Sequence, residues 1–280
     1  MAQRYALLDL NGDGVEEQIV APIPPAPASG GDFDLILSGT SPPVRQRFRS
    51  NAGVPSRFIG TAPIGDVNGD GFGDLALSEF LGPYVRHKGF DLRVKVYLGA
   101  PSGAREPPQV LRAPAAVRPS DRVTVFPVGD VNGDGFGDAH VQWYVTPASG
   151  QFFVGGAEER VVRDNCVGLS MWFDHGDLDA DGYEEVVTVT SSYGTWSFAF
   201  LVLPGGPDTA RNSRCGEVAR SSAEATPLRT PEWMRGRVLD ANDDGYDDVL
   251  LRERDIFDWV FQLFRGGPAG VPFTLRTFGP

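Results

Sequence analysis

Short runs of apolar and β-branched residues recur along the whole chain, and an acidic, glycine-containing loop precedes five of them. The runs that directly follow these loops read EQIVAP, DLALS, DAHVQWY, EEVVTVT and DDVLLR. Their length and composition are typical of β-strands. Three further runs of the same kind accompany each of them without helical periodicity, so the pattern predicts five groups of four strands.

The groups repeat at a spacing typical of propeller blades. The acidic loops begin at residues 9, 66, 130, 177 and 240, which gives intervals of 47 to 64 residues. A four-stranded blade cannot cover both faces of its own sheet, whereas radial packing of several blades buries them. We therefore predict an all-β fold, a five-bladed β-propeller that forms a single domain over residues 1–280. The approximate blade boundaries are 1–50, 51–113, 114–165, 166–222 and 223–280.

Each acidic loop carries oxygen-bearing side chains at alternate positions. Position 1 is Asp, position 3 is Asn or Asp, position 5 is Asp, position 6 is Gly and position 9 is Asp or Glu. Calcium takes roughly six to eight oxygen ligands, and a tight turn can direct alternate side chains towards one ion. The predicted ligands are the side chains at positions 1, 3, 5 and 9 and the backbone carbonyl at position 7. They belong to Asp9, Asn11, Asp13, Val15 and Glu17; Asp66, Asn68, Asp70, Phe72 and Asp74; Asp130, Asn132, Asp134, Phe136 and Asp138; Asp177, Asp179, Asp181, Tyr183 and Glu185; and Asp240, Asn242, Asp244, Tyr246 and Asp248.

The loops differ from the EF-hand, which opens in the same way. An EF-hand supplies a bidentate Glu at position 12, between two helices. Position 12 lies in a predicted strand here and is Val20, Leu77, Val141, Thr188 or Leu251. The sequence therefore predicts about five bound Ca²⁺ ions, one in each blade, and we expect them to be structural because no feature singles out one loop.

The loop DVNGDGFGD at Asp66–Asp74 and Asp130–Asp138, its variants DLNGDGVEE, DLDADGYEE and DANDDGYDD, and the strands that follow resemble the FG-GAP or VCBS repeat family. These are calcium-binding propeller repeats that also occur in the heads of integrin α subunits and in many bacterial surface proteins. The resemblance covers essentially all 280 residues. It implies that each loop joins the first and second strands of a blade and binds calcium on one face of the disc.

Two features depart from the family pattern. Glu17 and Glu185 replace Asp at position 9, so their loops are expected to coordinate the ion differently or to bind it more weakly. The integrin relatives have seven blades, so five blades imply either a smaller closed ring or a fragment of a larger one.

The negative charge of the chain is concentrated in the loops. Positions 1, 3, 5 and 9 hold 16 of the 37 Asp and Glu residues, and five divalent cations would offset most of the formal net charge of −12. No basic stripe remains elsewhere, which argues against a nucleic-acid partner. No run of about 18 apolar residues is present, so no membrane insertion is predicted.

An oxidising, calcium-rich compartment is the expected location. Calcium sites of extracellular modules work at about 0.1 to 1 mM free ion, so we expect an extracellular, periplasmic or cell-surface protein. Residues 1–30 contain no hydrophobic region of a signal peptide, so we expect either that a signal sequence has been removed or that the protein is exported in another way. Cys166 and Cys215 suit either a disulfide between neighbouring blades or two free buried thiols.

Catalytic motifs are scarce. The three histidines are His87, His140 and His175, and the chain has no GxSxG, GxGxxG or HExxH motif. His175, which lies beside the fourth loop, is predicted to be structural, and we predict neither a catalytic residue nor an enzyme. The alternative is a carbohydrate-active enzyme, a glycosidase or polysaccharide lyase on a propeller scaffold, with carboxylates outside the loops as acid and base. The carboxylates available for this role are Glu79, Glu106, Glu224 and Glu232.

Long loops of variable length supply the candidate ligand site. They read APIPPAPASGGD, SEFLGPYVRHKGFD and SSAEATPLRTPEWM, and a propeller would place them on the face opposite the calcium loops. Aromatic and Arg side chains suit sugar stacking or a protein hot spot; alternatively, the aromatic rings cover the ends of their own blades. The candidates are Tyr84, Arg86, His87, Arg229 and Trp233. The predicted function is a calcium-stabilised extracellular or cell-surface module that binds a protein or a glycan, with ligand identity and oligomeric state left open.

Overall fold

The computed structural model describes most of the chain in separate stretches. They are residues 3–6, 9–21, 33–48, 56–82, 90–118, 120–145, 149–156, 160–164, 170–191, 198–203, 205–207, 216–220, 235–254, 259–268 and 277–278. Within these stretches all regular secondary structure is β-strand, which confirms the predicted all-β class. The same stretches contain no helix with the length and apolar character needed to cross a membrane.

In the described residues the strands form five four-stranded antiparallel sheets, each made of four consecutive strands in chain order. Sheet 1 contains β1 (Gln3–Ala6), β2 (Gln18–Ala21), β3 (Phe33–Leu37) and β4 (Val44–Phe48). Sheet 2 contains β5 (Ser56–Gly65), β6 (Asp74–Leu81), β7 (Asp91–Tyr97) and β8 (Gln109–Arg112). Sheet 3 contains β9 (Arg122–Gly129), β10 (Asp138–Tyr144), β11 (Ser149–Val154) and β12 (Arg160–Asp164). Sheet 4 contains β13 (Ser170–Gly176), β14 (Glu185–Ser191), β15 (Phe198–Leu203) and β16 (Gly216–Arg220). Sheet 5 contains β17 (Arg235–Leu239), β18 (Asp248–Arg254), β19 (Trp259–Phe264) and β20 (Thr277–Phe278).

Each acidic loop connects the first and second strands of its sheet. In sheet 2 the β5–β6 ladder ends where Gly65 pairs with Asp74, so the loop begins at the last rung of the ladder. The third strand then returns beside the second, with Tyr97 opposite Leu75. The end of the third strand therefore lies next to the end of the loop, and this proximity governs the hydrogen bonding of the loop.

The chain divides into two compact units. Unit 1 contains Met1–Pro127 and Gly135–Arg163, and unit 2 contains Val128–Asp134 and Asp164–Pro280. The organisation of residues 1–280 as a single domain stays a prediction.

In unit 1, strand β6 is buried on both of its faces. Its residues Leu75 and Leu77 join a cluster of buried side chains that includes residues of sheet 1. Ala76 and Phe80 point the other way and join a second cluster, which includes Trp143 of sheet 3. Because successive side chains of a strand alternate between its faces, one strand contributes to two cores. This explains why apolar residues occupy successive positions of β6, as in Leu75–Leu77, instead of alternating with polar ones.

In unit 2, strands β13 and β17 pack against each other. The carboxylate of Asp174 in β13 accepts a hydrogen bond of 2.7 Å from the backbone N–H of Val238 in β17. Leu178, Val186 and Val249 are buried apolar residues of this unit. Sheets 4 and 5 are thus joined by the packing of β13 on β17 and by a side chain that satisfies a backbone donor.

Candidate metal centre

Each acidic loop is folded by hydrogen bonds from its own backbone to its own side chains. In the second loop, Asp66 accepts the N–H of Asp70 at 3.1 Å and that of Gly71 at 2.7 Å. Asn68 accepts the N–H of Asp70 at 3.2 Å, and Asp70 accepts that of Phe72 at 3.1 Å. Short polar side chains that bind nearby backbone groups favour tight turns. Positions 1, 3 and 5 therefore shape the loop as well as offering oxygen atoms to a cation.

The same contacts recur in the other loops. In loops 1, 4 and 5 the position-6 N–H donates to the position-1 carboxylate, at 2.6, 3.0 and 2.9 Å. In the third loop the N–H of Asp134 donates to Asp130 and to Asn132, both at 3.0 Å. Position 4 has a positive φ in all five loops, including Ala180 at 57° and Asp243 at 60°. One backbone geometry is therefore shared by all five loops.

The position-9 carboxylate is buried and ties the loop to the end of the third strand. Asp74 is 0 % exposed, and its two oxygens accept the N–H of Val67 and the N–H of Gly99, both at 2.7 Å. Glu185 and Asp248 make the same two contacts in loops 4 and 5, at distances of 2.8 to 3.2 Å. The sequence predicts position 9 only as a cation ligand, and this second role is not evident from the motif.

The glycine that donates this bond has no room for a side chain. A Cβ added at Gly99 would lie 2.8 Å from the carbonyl oxygen of Leu10, in the preceding loop. Likewise, a Cβ at Gly266 in the fifth repeat would lie 2.7 Å from the carbonyl oxygen of Leu178, which occupies in the fourth loop the position that Leu10 has in the first. Glycine is therefore needed where the end of a third strand packs on the preceding loop.

Glu17 in the first loop departs from this arrangement. Its Oε2 accepts the N–H of Leu10, but its Oε1 has no hydrogen-bond partner, although the side chain is 0 % exposed. Strands β2 and β3 pair with Gln18 opposite Ile36. By this register, Ser38 occupies the place that the donor glycine has in the other sheets.

Carboxylates converge most closely in the two loops that carry Glu at position 9. Two groups have ligand oxygens that all lie within 4.8 Å of one another: Asp9, Asp13 and Glu17, and Asp177, Asp179 and Glu185. In the part of the chain that the structure describes, these are the groups of three acidic residues that meet this distance. Oxygen donors at such a spacing suit a hard divalent cation.

Burial raises the pKa of three of the position-9 carboxylates, Glu17, Asp74 and Glu185. Desolvation is the main cause for Glu17, whose pKa rises to about 7, and the negative charges of Asp9 and Asp13 add to it. Desolvation likewise raises the pKa values of Asp74 and Glu185 to about 7, against the opposing effect of their backbone hydrogen bonds. A divalent cation would favour the ionised form of each group. The electrostatics of the loops therefore fit a bound cation.

Consecutive loops are joined by backbone hydrogen bonds of one type. The N–H at position 8 donates to the carbonyl at position 1 of the preceding loop, from Gly73 to Asp9 at 2.9 Å and from Gly137 to Asp66 at 2.8 Å. The same bond joins loops 3 and 4 at 3.3 Å and loops 4 and 5 at 2.9 Å. A second backbone hydrogen bond joins the same loops. The N–H of the residue after the donor glycine donates to the position-2 carbonyl of the preceding loop, at 2.8 to 3.0 Å. Each loop thus anchors the repeat that follows it.

The position-7 residues, predicted to offer backbone carbonyls, also pack on the preceding loop. The contacts are Phe72 on Gly12, Phe136 on Gly69 and Tyr183 on Gly133. Tyr246 is half-buried, whereas Val15 in the first loop is exposed. An aromatic ring at position 7 therefore serves packing between repeats, a role that spacing within one loop does not reveal.

The predicted ligand-face residues lie outside the described part of the chain. They are Tyr84, Arg86, His87, Arg229 and Trp233. The same holds for Cys166, Cys215, Glu224 and Glu232. The predictions made for these residues stay predictions.

Three other titratable residues, His175, Glu79 and His140, make local contacts. His175 binds Glu184 through Nδ1; burial by itself lowers the pKa of His175, but the hydrogen bond and charge of Glu184 outweigh it and raise the pKa. Glu79 forms an ion pair with Lys95 at 3.0 Å. The buried ring of His140 meets that of Phe152 edge-on, with a centroid distance of 4.9 Å. The carboxylate-bearing residue Glu106 is exposed.

Comparison with known proteins gives matches at the level of structure. No protein-family model matches the chain, and no curated protein matches it. Among the solved structures that match is that of a lectin from Agrocybe aegerita. This lectin is described as specifically recognising non-reducing terminal N-acetylglucosamine. The two chains are 13 % identical, the match covers 99 % of this chain and 79 % of the lectin, and the TM-score is 0.44. Similarity at this level carries no information on a ligand of this chain.

Proposed function

We propose that this chain is a calcium-stabilised β-propeller of the FG-GAP or VCBS type that acts outside the cytosol as a module for binding a protein or a glycan. The observation that carries the proposal is the recurrence of one acidic loop geometry at five places, with the position-1 carboxylate folding the turn each time. The loop motif is also what supports the resemblance to that family.

Calcium is the cation that best suits these loops. The side chains at positions 1, 3, 5 and 9 offer only carboxylate and amide oxygens, without His or Cys, and such donors favour calcium over zinc. We expect about five ions, one in each loop. When bound, calcium would supply positive charge to carboxylates that otherwise repel one another. The residues of the chain fold the turn and hold those carboxylates in place.

A five-bladed arrangement in a single domain is part of the proposal. Its support is the bond from position 8 to position 1, which recurs between each pair of consecutive loops, and the burial of β6 on both faces. Small-angle scattering tests it, because a compact domain of this length has a radius of gyration of about 19 Å. A radius well above that value would contradict a single compact propeller.

Ligand recognition is proposed for the long loops rather than for the calcium loops. If every ion has the same structural role, the calcium loops do not distinguish one ligand from another. The variable loops with Tyr84 and Trp233 are then the candidate site for specific ligand binding. A glycan array and a protein pull-down in millimolar calcium test this, with Tyr84→Ala and Trp233→Ala expected to weaken binding. Val110→Ala is the matched control, because Val110 is exposed on β8.

A hydrolysis and lyase assay on the same glycans separates the two candidate functions. Binding without turnover supports the interaction module. Turnover of a bound glycan would instead support the carbohydrate-active enzyme, with acid and base groups outside the loops. Binding that both alanine variants retain in full would contradict the assignment of the ligand site to these loops.

A further inference from the structure

We infer that Arg105 is an internal cation that competes with calcium at the second acidic loop, so that this loop fills at a higher calcium concentration than it would without Arg105. The inference rests on the proposed calcium loops, and it adds a residue outside the loop motif that regulates one of them. The carrying observation is an ion pair of 3.4 Å between the guanidinium of Arg105 and the carboxylate of Asp70, which is position 5 of the second loop.

The turn between β7 and β8, which carries Arg105, is held in place by hydrogen bonds. The backbone N–H of Arg105 donates to the carbonyl of Leu98 at 2.7 Å. The side chain of Gln46 in β4 binds the preceding residue, Ala104; it accepts the N–H of Ala104 at 3.0 Å and donates to its carbonyl at 2.6 Å. The backbone of the turn is therefore fixed from two sides, and the base of the Arg105 side chain is held close to the second loop.

The carboxylate of Asp70 would have to serve two cations once calcium is present. Its Oδ2 faces the guanidinium and also accepts a hydrogen bond of 3.1 Å from Nδ2 of Asn68. An ion held by Asp70 would lie near the positive charge of Arg105, and like charges repel. In the metal-free loop, by contrast, the same charge offsets part of the repulsion among the loop carboxylates. Both effects lower the affinity of the second loop for calcium.

The side chain of Arg105 has room to leave Asp70 when an ion binds. It is 51 % exposed, and together with Gln109 it lines a cavity of about 390 Å³. Exposed ion pairs are weak, so calcium can displace the guanidinium without disturbing the core. We therefore expect Arg105 to lower the calcium affinity of the second loop by about three- to tenfold rather than to prevent binding.

The fifth loop offers the same set of side-chain ligands without such a competitor. Its positions 1, 3, 5 and 9 are Asp, Asn, Asp and Asp, as in the second loop. Among the described residues, no Arg, Lys or His pairs with Asp244 at position 5, which instead accepts hydrogen bonds from Asn242 and Tyr246. Asp243 and Asp247 add further negative charge to this loop. The second loop is therefore expected to fill after the fifth.

Two variants of sheet 2 separate this competition from a general change of charge. Arg105→Gln removes the positive charge beside Asp70. Arg112→Gln removes a positive charge at the other end of the sheet, where Arg112 pairs with Asp91 at 2.7 Å and is 61 % exposed. Asp91 begins β7, whereas the loop adjoins the end of that strand. Arg112→Gln is therefore the matched control.

Hydrogen exchange at a series of calcium concentrations reports on each loop separately. Peptides that cover residues 66–74 and 240–248 give the calcium concentration at which each loop becomes half-protected. In Arg105→Gln this midpoint is expected to fall by about three- to tenfold for residues 66–74 and to stay unchanged for residues 240–248. Arg112→Gln is expected to move neither midpoint. In excess chelator, Arg105→Gln is expected to lower the protection of residues 66–74, because the loop has lost its internal cation.

An unchanged midpoint for residues 66–74 in Arg105→Gln, or an equal shift in Arg112→Gln, would overturn the inference. Loss of protection in Arg105→Gln both with and without calcium would also overturn it, because that result indicates a structural role alone. A midpoint for residues 66–74 below that for residues 240–248 in the unsubstituted protein would do the same, and this comparison requires no variant to fold. If calcium protects none of the loops, the proposed calcium loops themselves fail, so the two failures are distinguishable.

Discussion

The ring of Phe72 lies against Gly12 in the preceding loop. A Cβ added at Gly12 would come within 2.8 Å of Cε1 of Phe72, and the φ of Gly12 is +72°. Gly14 in the same loop also has a positive φ, +80°, but a Cβ there would meet nothing within 4 Å. Gly12 is therefore required both by its backbone conformation and by packing, whereas Gly14 is required by its backbone conformation alone.

Gly12→Ala is predicted to destabilise the protein more than Gly14→Ala. The positive φ alone costs about 1 to 2 kcal/mol for an L residue, and the overlap with Phe72 adds about 1 to 3 kcal/mol at Gly12. Urea unfolding measures both changes. In the double variant Gly12→Ala with Phe72→Ala, the two costs should be less than additive, because the ring that is overlapped is gone. Equal costs for the two single glycine variants would contradict the packing of the ring.

Lys95→Met is predicted to be strongly destabilising, because it leaves the carboxylate of Glu79 buried without its partner. Glu79 is 0 % exposed and the side chain of Lys95 is 13 % exposed. Removing one member of a buried ion pair costs about 3 to 5 kcal/mol, whereas replacing both members with apolar groups is often neutral. The double variant Glu79→Leu with Lys95→Met should therefore recover most of the loss in urea unfolding.

Arg112→Met provides the control for that experiment. Arg112 pairs with Asp91 at 2.7 Å, but its side chain is 61 % exposed. Exposed ion pairs contribute about 0 to 1 kcal/mol, so the change should have little effect on stability. A similar loss in Lys95→Met and Arg112→Met would show that Glu79 does not depend on Lys95.

The pH dependence of stability is predicted to reverse when calcium is removed. The pKa values of Glu17, Asp74 and Glu185 are raised to about 7 in the folded protein, whereas such carboxylates titrate near pH 4 in an unfolded chain. Between about pH 4 and 7 the folded, metal-free protein therefore binds more protons than the unfolded chain. Its free energy of unfolding must then fall as the pH rises through this window.

Calcium changes the sign because it competes with those protons. In saturating calcium the three carboxylates are held ionised, so stability should fall as the pH drops. Urea unfolding of metal-stripped and calcium-saturated protein at pH 5 and pH 7.5 measures both slopes. Metal-stripped protein that is more stable at pH 7.5 than at pH 5 would contradict the buried, proton-binding state of these groups.

The acidic loops are predictable from sequence because the contacts that fold them are local. Asp66 reaches the N–H of Gly71, and Asp70 that of Phe72, within one turn of chain. The bond from Gly99 to Asp74 spans 25 residues. It depends on the register between β6 and β7, which a loop motif does not specify. The sequence therefore predicts position 9 as a ligand but not as a structural acceptor.

The sequence does indicate that the turn after the third strand differs at Ser38. The turns after the third strands read LGAPSG, LPGGPD and RGGPAG in three later repeats, whereas the first repeat reads LSGTSP. Ser38 is the second residue of its turn, a position that is glycine in LGAPSG and RGGPAG (Gly99 and Gly266), whereas the donor Gly205 is the third residue of LPGGPD. The consequence for Glu17 could not be predicted, because it depends on the burial of one oxygen atom.

Thermal unfolding in excess chelator and in millimolar calcium, with bound ions counted by elemental analysis, is the most direct test of the calcium loops. An ion that binds only the folded state stabilises it by about 2.7 kcal/mol per site at a hundredfold excess over Kd. We predict about five calcium ions per chain and a large upward shift of the unfolding midpoint. No shift and no bound calcium would contradict the assignment of these loops as cation sites.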